Sequence, residues 1–259
     1  MKRRIFIDSF GALLPEGIAG PSGTRPWDAG QAGPHDVRRD QVLEKPYVNF
    51  GKLMLPDKLA FCAAAAALSR YAIADGQTAA VTLGIPAGSL STDLRFMESV
   101  RAGFPGPAVF SATLPSSAIA DIAIYFGLKG PNRVVAGNAA SGLTALELAV
   151  SLLETGKAAC ALSLSVNAVE AADAAGPLLG PAADRLCRAY AFLLTTMPQP
   201  GGLGTEMEAS FAAGDNGAAH ACDELYFTDL VRLLTAQKSG RVVAASCDVA
   251  ATLSLLKGP

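Results

Sequence analysis

Asn138-Ala139-Ala140-Ser141-Gly142-Leu143 lies between an apolar run, Asn132–Gly137, and an amphipathic stretch that reaches Gly156. The pattern predicts a strand, a tight turn of small residues and a helix. A thiol on such a turn gains reactivity, because the partial positive charge of a helix N-terminus favours the thiolate. The position holds Ala139, whose side chain offers no lone pair, proton or leaving group. Ser141 follows two residues on. No G-x-S-x-G elbow surrounds it and no nearby His can act as base, so it reads as a hydroxyl capping the helix start. The turn by itself reads equally as the frame of a nucleophilic site without its nucleophile and as an ordinary strand-to-helix turn that uses a small residue.

The other chemically capable residues make weaker patterns. Cys160 lies inside an apolar strand and reads as a small buried hydrophobe. His220-Ala221-Cys222-Asp223-Glu224 carries metal-capable side chains but has no second spaced pair, so no metal is expected. Gly201-Gly202-Leu203-Gly204 lacks a strand–turn–helix frame, and Met207 stands where a dinucleotide fingerprint needs its third glycine. Gly156-Lys157 lacks the upstream glycine of a P-loop. No cofactor is expected.

These residues need elements to position them. The sequence predicts a strand at Arg4–Ser9 and a long ordered loop over residues 11–50, anchored by Trp27 and Tyr47. Helical spacing places a helix at Asp57–Ala74, and an apolar run places a strand at Thr78–Gly84. Helices follow at Asp93–Ala102 and Ser116–Phe126, the latter closed by Gly127. Phe104–Pro115 between them reads as extended. A strand at Asn132–Ala136 and a helix at Gly142–Thr155 frame the turn. Two more strands are expected at Ala158–Ser165 and Arg188–Thr195. Residues 198–222, rich in Gly, Ala and Pro, read as a linker. A helix at Asp223–Gln237 and a hairpin of Arg241–Cys247 and Ala250–Leu256 over Asp248 close the chain. The alternation argues an α/β layered fold with a mixed sheet.

Composition narrows the function classes. The 259 residues are 51% hydrophobic and carry a net charge of −2. That suits a buried sheet under Ala-rich helices, or a large partner interface. No basic stripe exists, so nucleic acid is not an expected partner. Lys2-Arg3-Arg4 before Ile5-Phe6-Ile7 has the start of a signal peptide, but Asp8 ends the apolar run too early. Leu59–Ala67 is too short to span a bilayer. The five cysteines, Cys62, Cys160, Cys187, Cys222 and Cys247, form no C-x-x-C pair and no disulfide framework. A cytoplasmic, reduced setting is the expectation.

Five segments together resemble the N-terminal half of a β-ketoacyl-acyl-carrier-protein synthase. They are Arg4-Ile5-Phe6-Ile7-Asp8-Ser9-Phe10-Gly11, Phe110-Ser111-Ala112-Thr113-Leu114-Pro115, Gly127-Leu128-Lys129-Gly130-Pro131, Ala139-Ala140-Ser141-Gly142 and the helix to Gly156. The resemblance covers roughly Arg4 to Thr195. The family's Cys-Ala-Ser-Gly turn stands here as Ala139-Ala140-Ser141-Gly142. In that family a second half supplies two catalytic histidines. This chain has only His35 and His220, neither in a matching motif. The resemblance implies a thiolase-like half fold, a mixed sheet covered by helices, with a short C-terminal helix and hairpin. It divides the chain into a ketosynthase-like half domain (1–197), a linker (198–222) and a helix–hairpin extension of the same domain (223–259).

The shortened layout is similar to the chain length factor subunits of aryl-polyene-type pathways. The resemblance then implies a subunit that is not an enzyme by itself, in polyketide or fatty-acid-type chain elongation. It implies pairing with a full-length β-ketoacyl synthase and transient contact with an acyl carrier protein. Phe110, Thr113, Leu114 and Ile119 are the candidate tunnel or interface residues. Two rivals stay open at this point. One is a small acyltransferase or decarboxylase using Ser141, Cys160 or His220. The other is a self-associating scaffold.

Overall fold

The computed structural model describes residues 4–69, 71, 73, 78–137, 140–168, 187–213, 223–236, 240–245 and 249–256. Strand β1 is Ile5–Leu14, and the hairpin β2 (Gly17–Gly20) and β3 (Gly23–Pro26) folds back beside its end. Short 3-10 turns then lead to helix α1, Leu55–Leu68. Strand β4 is Ala79–Ile85, followed by helices α2 (Leu90–Arg101), α3 (Pro107–Ser111) and α4 (Ser117–Phe126). Strand β5 is Asn132–Ala136, helix α5 is Ser141–Glu154, β6 is Cys160–Asn167 and β7 is Arg188–Thr195. Strand β8 (Thr205–Ala213), helix α6 (Asp223–Thr235), β9 (Gly240–Ala245) and β10 (Val249–Leu256) complete the order.

The strands join one mixed sheet in the order β5-β4-β6-β7-β1-β8-β10-β9. β4 runs parallel to both β5 and β6, while the remaining neighbours along this order are antiparallel. Helices cover both faces. Leu162, Leu164 and Val166 of β6 and Ala189, Ala191 and Leu193 of β7 face a core closed by α1 and α4. Tyr190, Phe192 and Leu194 point the other way, into a core closed by α5 and α6. This is the period-2 alternation of a sheet buried on both sides, and it explains the apolar composition.

β1 shows how one residue redirects that alternation. Ile5 and Ile7 face the α5–α6 core, and then Phe10, Ala12 and Leu14 do, so the parity changes between them. The register against β7 slips there: Ile7 pairs with Leu194 and Ser9 with Leu193. Asp8 is the bulged residue, and a bulge adds one position to one strand only.

Two local readings change. Phe104–Pro115 is not extended throughout: Pro107 opens the short helix α3 at a first-turn position, where its missing N–H has no helical partner to lose. Residues 205–213 are not part of a linker. They form β8, paired from Glu206 to Ala213 with β10 and over Ile5–Ile7 with β1. Its alternation of Met207, Ala209 and Phe211 against Glu206, Glu208 and Ser210 puts the apolar set against the core. Residues 214–222, and the turn at Asp248, lie outside the described residues. Other boundaries move less: α1 stops at Leu68 rather than Ala74, and β1 extends to Leu14.

Candidate functional site

The turn after β5 enters α5 where the sequence placed it. Gly137 takes φ 105°, a left-handed conformation open to glycine, and Ala140 occupies the N-cap position of α5. Ser141 is therefore the first residue inside the helix rather than its cap, and it is fully buried. Ala139 itself lies outside the described residues. The helix start is pressed onto β4: a Cβ at Gly84 would lie 2.3 Å from the Ser141 carbonyl oxygen and 2.4 Å from Gly142 Cα.

Two thiols are disarmed by burial. Burial, with a further push from Asp8, raises the Cys160 thiol to about 11. Burial within α1 raises Cys62 to about 12. Neither supplies thiolate near neutrality. His35 is half-exposed in the 3-10 turn Pro34–Asp36, beside Asp36, and His220 lies outside the described residues. Among the described residues no group of three His, Cys, Asp or Glu side chains forms a metal site, and no helix is long and apolar enough to cross a membrane. A cleft of about 580 Å³ between α5 and the β8–β10 surface is lined by Glu154, Glu206, Glu208 and Ser210. Arg4 closes it by donating two guanidinium N–H groups to Glu206. Val150 and Glu154 place this cleft at the opposite end of α5 from the turn.

The chain also exposes large apolar side chains. Met97 and Val100 on α2, Phe104 after it, Phe110 on α3 and Leu114 beyond α3 are all exposed, Phe104 by 84%, Phe110 by 60% and Leu114 by 62%. The Phe96 and Phe110 rings lie 5.2 Å apart, so α2 and α3 share one aromatic contact. The Ser89 hydroxyl at the α2 N-cap donates to the Thr113 carbonyl, and Thr113 Oγ1 donates to the Phe110 carbonyl at 2.7 Å. Three of the four candidates, Phe110, Thr113 and Leu114, thus sit on one short segment at the surface. Ile119 does not join them. It is 2% exposed, because α4 turns it inward beside Ala118 and Ile122 against α1. Strand β5 ends the sheet with Asn132, Arg133 and Ala136 exposed, leaving one strand edge unpaired among the described residues.

Sequence reasoning missed two buried carboxyls. Asp8 is 1% exposed; one oxygen accepts from Thr195 Oγ1 at 2.8 Å and from the Gln199 N–H at 3.1 Å, fastening the β7–β8 connection onto β1. Burial raises its pKa. Asp57, in the first turn of α1, is also buried. An aspartate amid Ile7 and Ser9 was the available signal for the first. An aspartate after Pro56 is common at any helix start and gave no signal for the second.

Comparison with known proteins follows the same lines. The family model for the β-ketoacyl synthase N-terminal domain matches residues 56–188, just over half of the chain. No curated protein matches by sequence. Solved structures match over nearly the whole chain. A chain of the complex of the ketosynthase ApeO with its chain length factor ApeC, from Xenorhabdus doucetiae, superposes with TM-score 0.68 and 13% identity, covering 97% of this chain and 99% of that one. A chain of the ishigamide ketosynthase/chain length factor gives TM-score 0.71 and 19% identity over 98% and 100% of the two chains. A chain of the AntDE:AntF assembly, a type II PKS acyl-carrier protein in complex with its ketosynthase bound to the hexaketide, gives 0.68 and 11% over 98% and 99%. These likenesses establish a thiolase-like ketosynthase fold.

Proposed function

Since the chain belongs to the β-ketoacyl synthase family through that family's N-terminal domain, we propose that it is a non-catalytic ketosynthase-like subunit of the chain length factor type. Its partner is an active ketosynthase, and its work is to complete a heterodimer and line part of the space that holds the growing acyl chain. One observation carries the reading: in the sequence Ala139 stands where the family's Cys-Ala-Ser-Gly motif has its cysteine. Condensation on the family's pattern needs a thiolate to carry the acyl group and donors to stabilise the carbanion that attacks it. The first is removed by Ala139. The end-to-end likeness to chains from ketosynthase/chain length factor complexes supports the pairing. The exposed apolar side chains of α2, α3 and Leu114 supply a surface that a partner would cover.

The acyl carrier protein is a transient partner in this reading. The net charge of −2 gives the chain no strong field for an acidic carrier, so carrier docking falls to the ketosynthase. No observation favours an acyltransferase. Ser141 is fully buried, and Cys160 is held as a thiol.

Two outcomes test the proposal. Incubated with acyl-carrier thioester, the chain alone stays at its unmodified mass and yields no condensation product; a stable acyl adduct at residue 139 or product from this subunit alone defeats the non-catalytic reading. Co-expressed with a full-length ketosynthase encoded beside it, the chain elutes as a heterodimer on sizing. A monodisperse monomer that ignores that ketosynthase defeats the pairing, and a stable homodimer that excludes it favours the scaffold.

A further inference from the structure

One stretch of the chain belongs to neither core. No residue from 93 to 117 is buried, and none of them joins the clusters on the two faces of the sheet. The stretch nonetheless follows a definite path. α2 is closed at Gly103, where φ is 80° and the Ala102, Gly103 and Phe104 N–H groups donate back to the Glu98, Val100 and Ser99 carbonyls. Glycine takes that left-handed closing position without strain. The chain then returns beside α2 through Gly106 and α3. The ties between the outgoing and returning limbs are nested. Nearest the tip, Ser99 Oγ accepts the Gly106 N–H at 3.3 Å and donates to the Phe96 carbonyl at 2.7 Å. Further back the Phe96 and Phe110 rings meet. At the base the Ser89 hydroxyl donates to the Thr113 carbonyl.

We propose that residues 89–113 are a helical hairpin zipped onto itself, which opens and closes as one unit while the sheet and its cores stay folded. Nesting makes the closure cheap. Joining Ser99 to Gly106 closes a loop of only a few residues, and each tie behind it encloses only a few more. α2 makes the closure collective. It carries the outgoing partner of the tip tie and of the aromatic tie, and Ser89 is its N-cap. A helix is cooperative along its length, so weakening any one tie weakens the whole.

What holds the hairpin is weak beside what holds the sheet. α2 has 12 residues, and a helix of that length is marginal by itself in water. Each tie changes an opening constant by about tenfold or less. Apolar burial adds little, since Met97, Val100, Phe104 and Phe110 are exposed. The roots, by contrast, are fixed. On the outgoing limb Thr92 is buried, and Arg95 Nη1 stands 3.8 Å from Met54 Sδ. Beyond the returning limb Ser117 Oγ donates to Asp57 Oδ1 at 2.9 Å, and Ala118 is buried. The hairpin can therefore open between anchored ends without carrying the rest of the chain. Openings of this kind range from nearly free up to the cost of global unfolding, and segments with few buried apolar contacts lie at the low end.

The hairpin rests on no partner, but its use rests on the reading above. It carries Met97, Val100, Phe104 and Phe110, and only the closed form presents them as one surface. A ketosynthase that binds the closed form draws the equilibrium toward it, and the measured affinity is the intrinsic one reduced by the closed fraction. Ser89 is buried, so a partner cannot touch it; it is a positioning residue that acts on docking only through the hairpin.

The test uses the chain alone, then the pair. Hydrogen exchange in rising urea follows the amides of residues 97–103 against those of β4 and β6. The hairpin amides are expected to be protected at least about 100-fold less than the strands and to share one shallow dependence on urea, the mark of a small unit opening together. Ser89→Ala should lower protection at residues 97–103 at least about threefold, although the lost tie lies at the base, and should leave β4 and β6 unchanged. Ser99→Ala should do the same to residues 110–113 from the tip. Hairpin amides as protected as β4, or losses confined to the residues beside each substitution, overturn the proposal. With the ketosynthase bound, residues 97–103 should gain at least about tenfold in protection while β6 stays unchanged. Binding that leaves those amides as they were overturns capture of the hairpin, and no binding overturns the pairing. In both cases the exchange of the chain alone still decides whether the hairpin opens as a unit.

Discussion

Gly84→Ala is expected to be among the most damaging single-methyl changes in the described chain. The added Cβ would stand 2.3 Å from the Ser141 carbonyl oxygen and 2.4 Å from both Gly142 N and Gly142 Cα. Those neighbours are backbone at the start of α5, so no side-chain rotation relieves the clash. The helix must lift from β4, or β4 must shift against β5 and β6. Overpacking of this kind costs about 3 kcal/mol or more, a large part of the 5–15 kcal/mol that holds a domain together. Urea unfolding checks it, with Gly51→Ala as the control, because nothing lies within 4 Å of a Cβ there. The Gly84 variant should unfold at a much lower midpoint, or fail to accumulate, while the Gly51 variant stays near wild type. Equal midpoints would mean that α5 does not seat on β4 as described, and the turn carrying Ala139 would lose its frame.

The second large effect is on association. The double variant Phe110→Asp with Leu114→Asp should fold, since both side chains are mostly exposed and surface changes stay within about 0.5 kcal/mol. Its affinity for the ketosynthase should fall at least about 100-fold, equivalent to about 2.7 kcal/mol, because two charges would be buried without partners. Pull-down or calorimetry against the purified ketosynthase reads the loss. The milder Phe110→Ala, in an intact pair, should shift products toward longer acyl chains by removing volume at the shared surface. Truncating a buried Phe or Leu costs roughly 2–5 kcal/mol. Phe110 and Leu114 are exposed in the chain itself, so that cost falls on the interface and not on the subunit's own fold. Binding unchanged by the double Asp variant would move the docking surface elsewhere.

Where the sequence was legible, a local rule governed. Strands β5 and β7 have the bounds that their apolar runs predict, and α4 ends at Gly127 with φ 66°, the left-handed closing residue expected of glycine. Where two rules competed, the weaker local signal won in the structure. Gly201–Gly204 and the alanines near 212 suggested a linker, yet the period-2 pattern from Met207 to Phe211 determined a strand, because β10 was there to pair with it. The frame of the site was readable because small residues and a helix start are local. The surface was not fully so. Ile119 follows Leu114 by five residues, and only the rotation of α4 about its axis, set by packing on α1, turns Ile119 away from solvent while Leu114 stays exposed. The buried acid Asp57 is less legible still, since its partner Ser117 is sixty positions away.

β1 has a consequence for how the chain is made. Its residues Ala12–Leu14 find a neighbour at once in β2, only a few positions downstream. The rest of the strand waits: Phe6 pairs with Thr195, and Ile5 pairs with Met207. On a ribosome the intervening stretch takes roughly 10–40 s to synthesise. Throughout that interval Ile5, Ile7 and Phe10 have emerged without the strands that flank them in the finished sheet. Closing such distant pairs also carries the loop entropy that makes high-contact-order proteins fold slowly. The strand at the middle of the finished sheet is therefore made well before the strands that enclose it, and the nascent chain depends for that time on whatever shields this apolar segment.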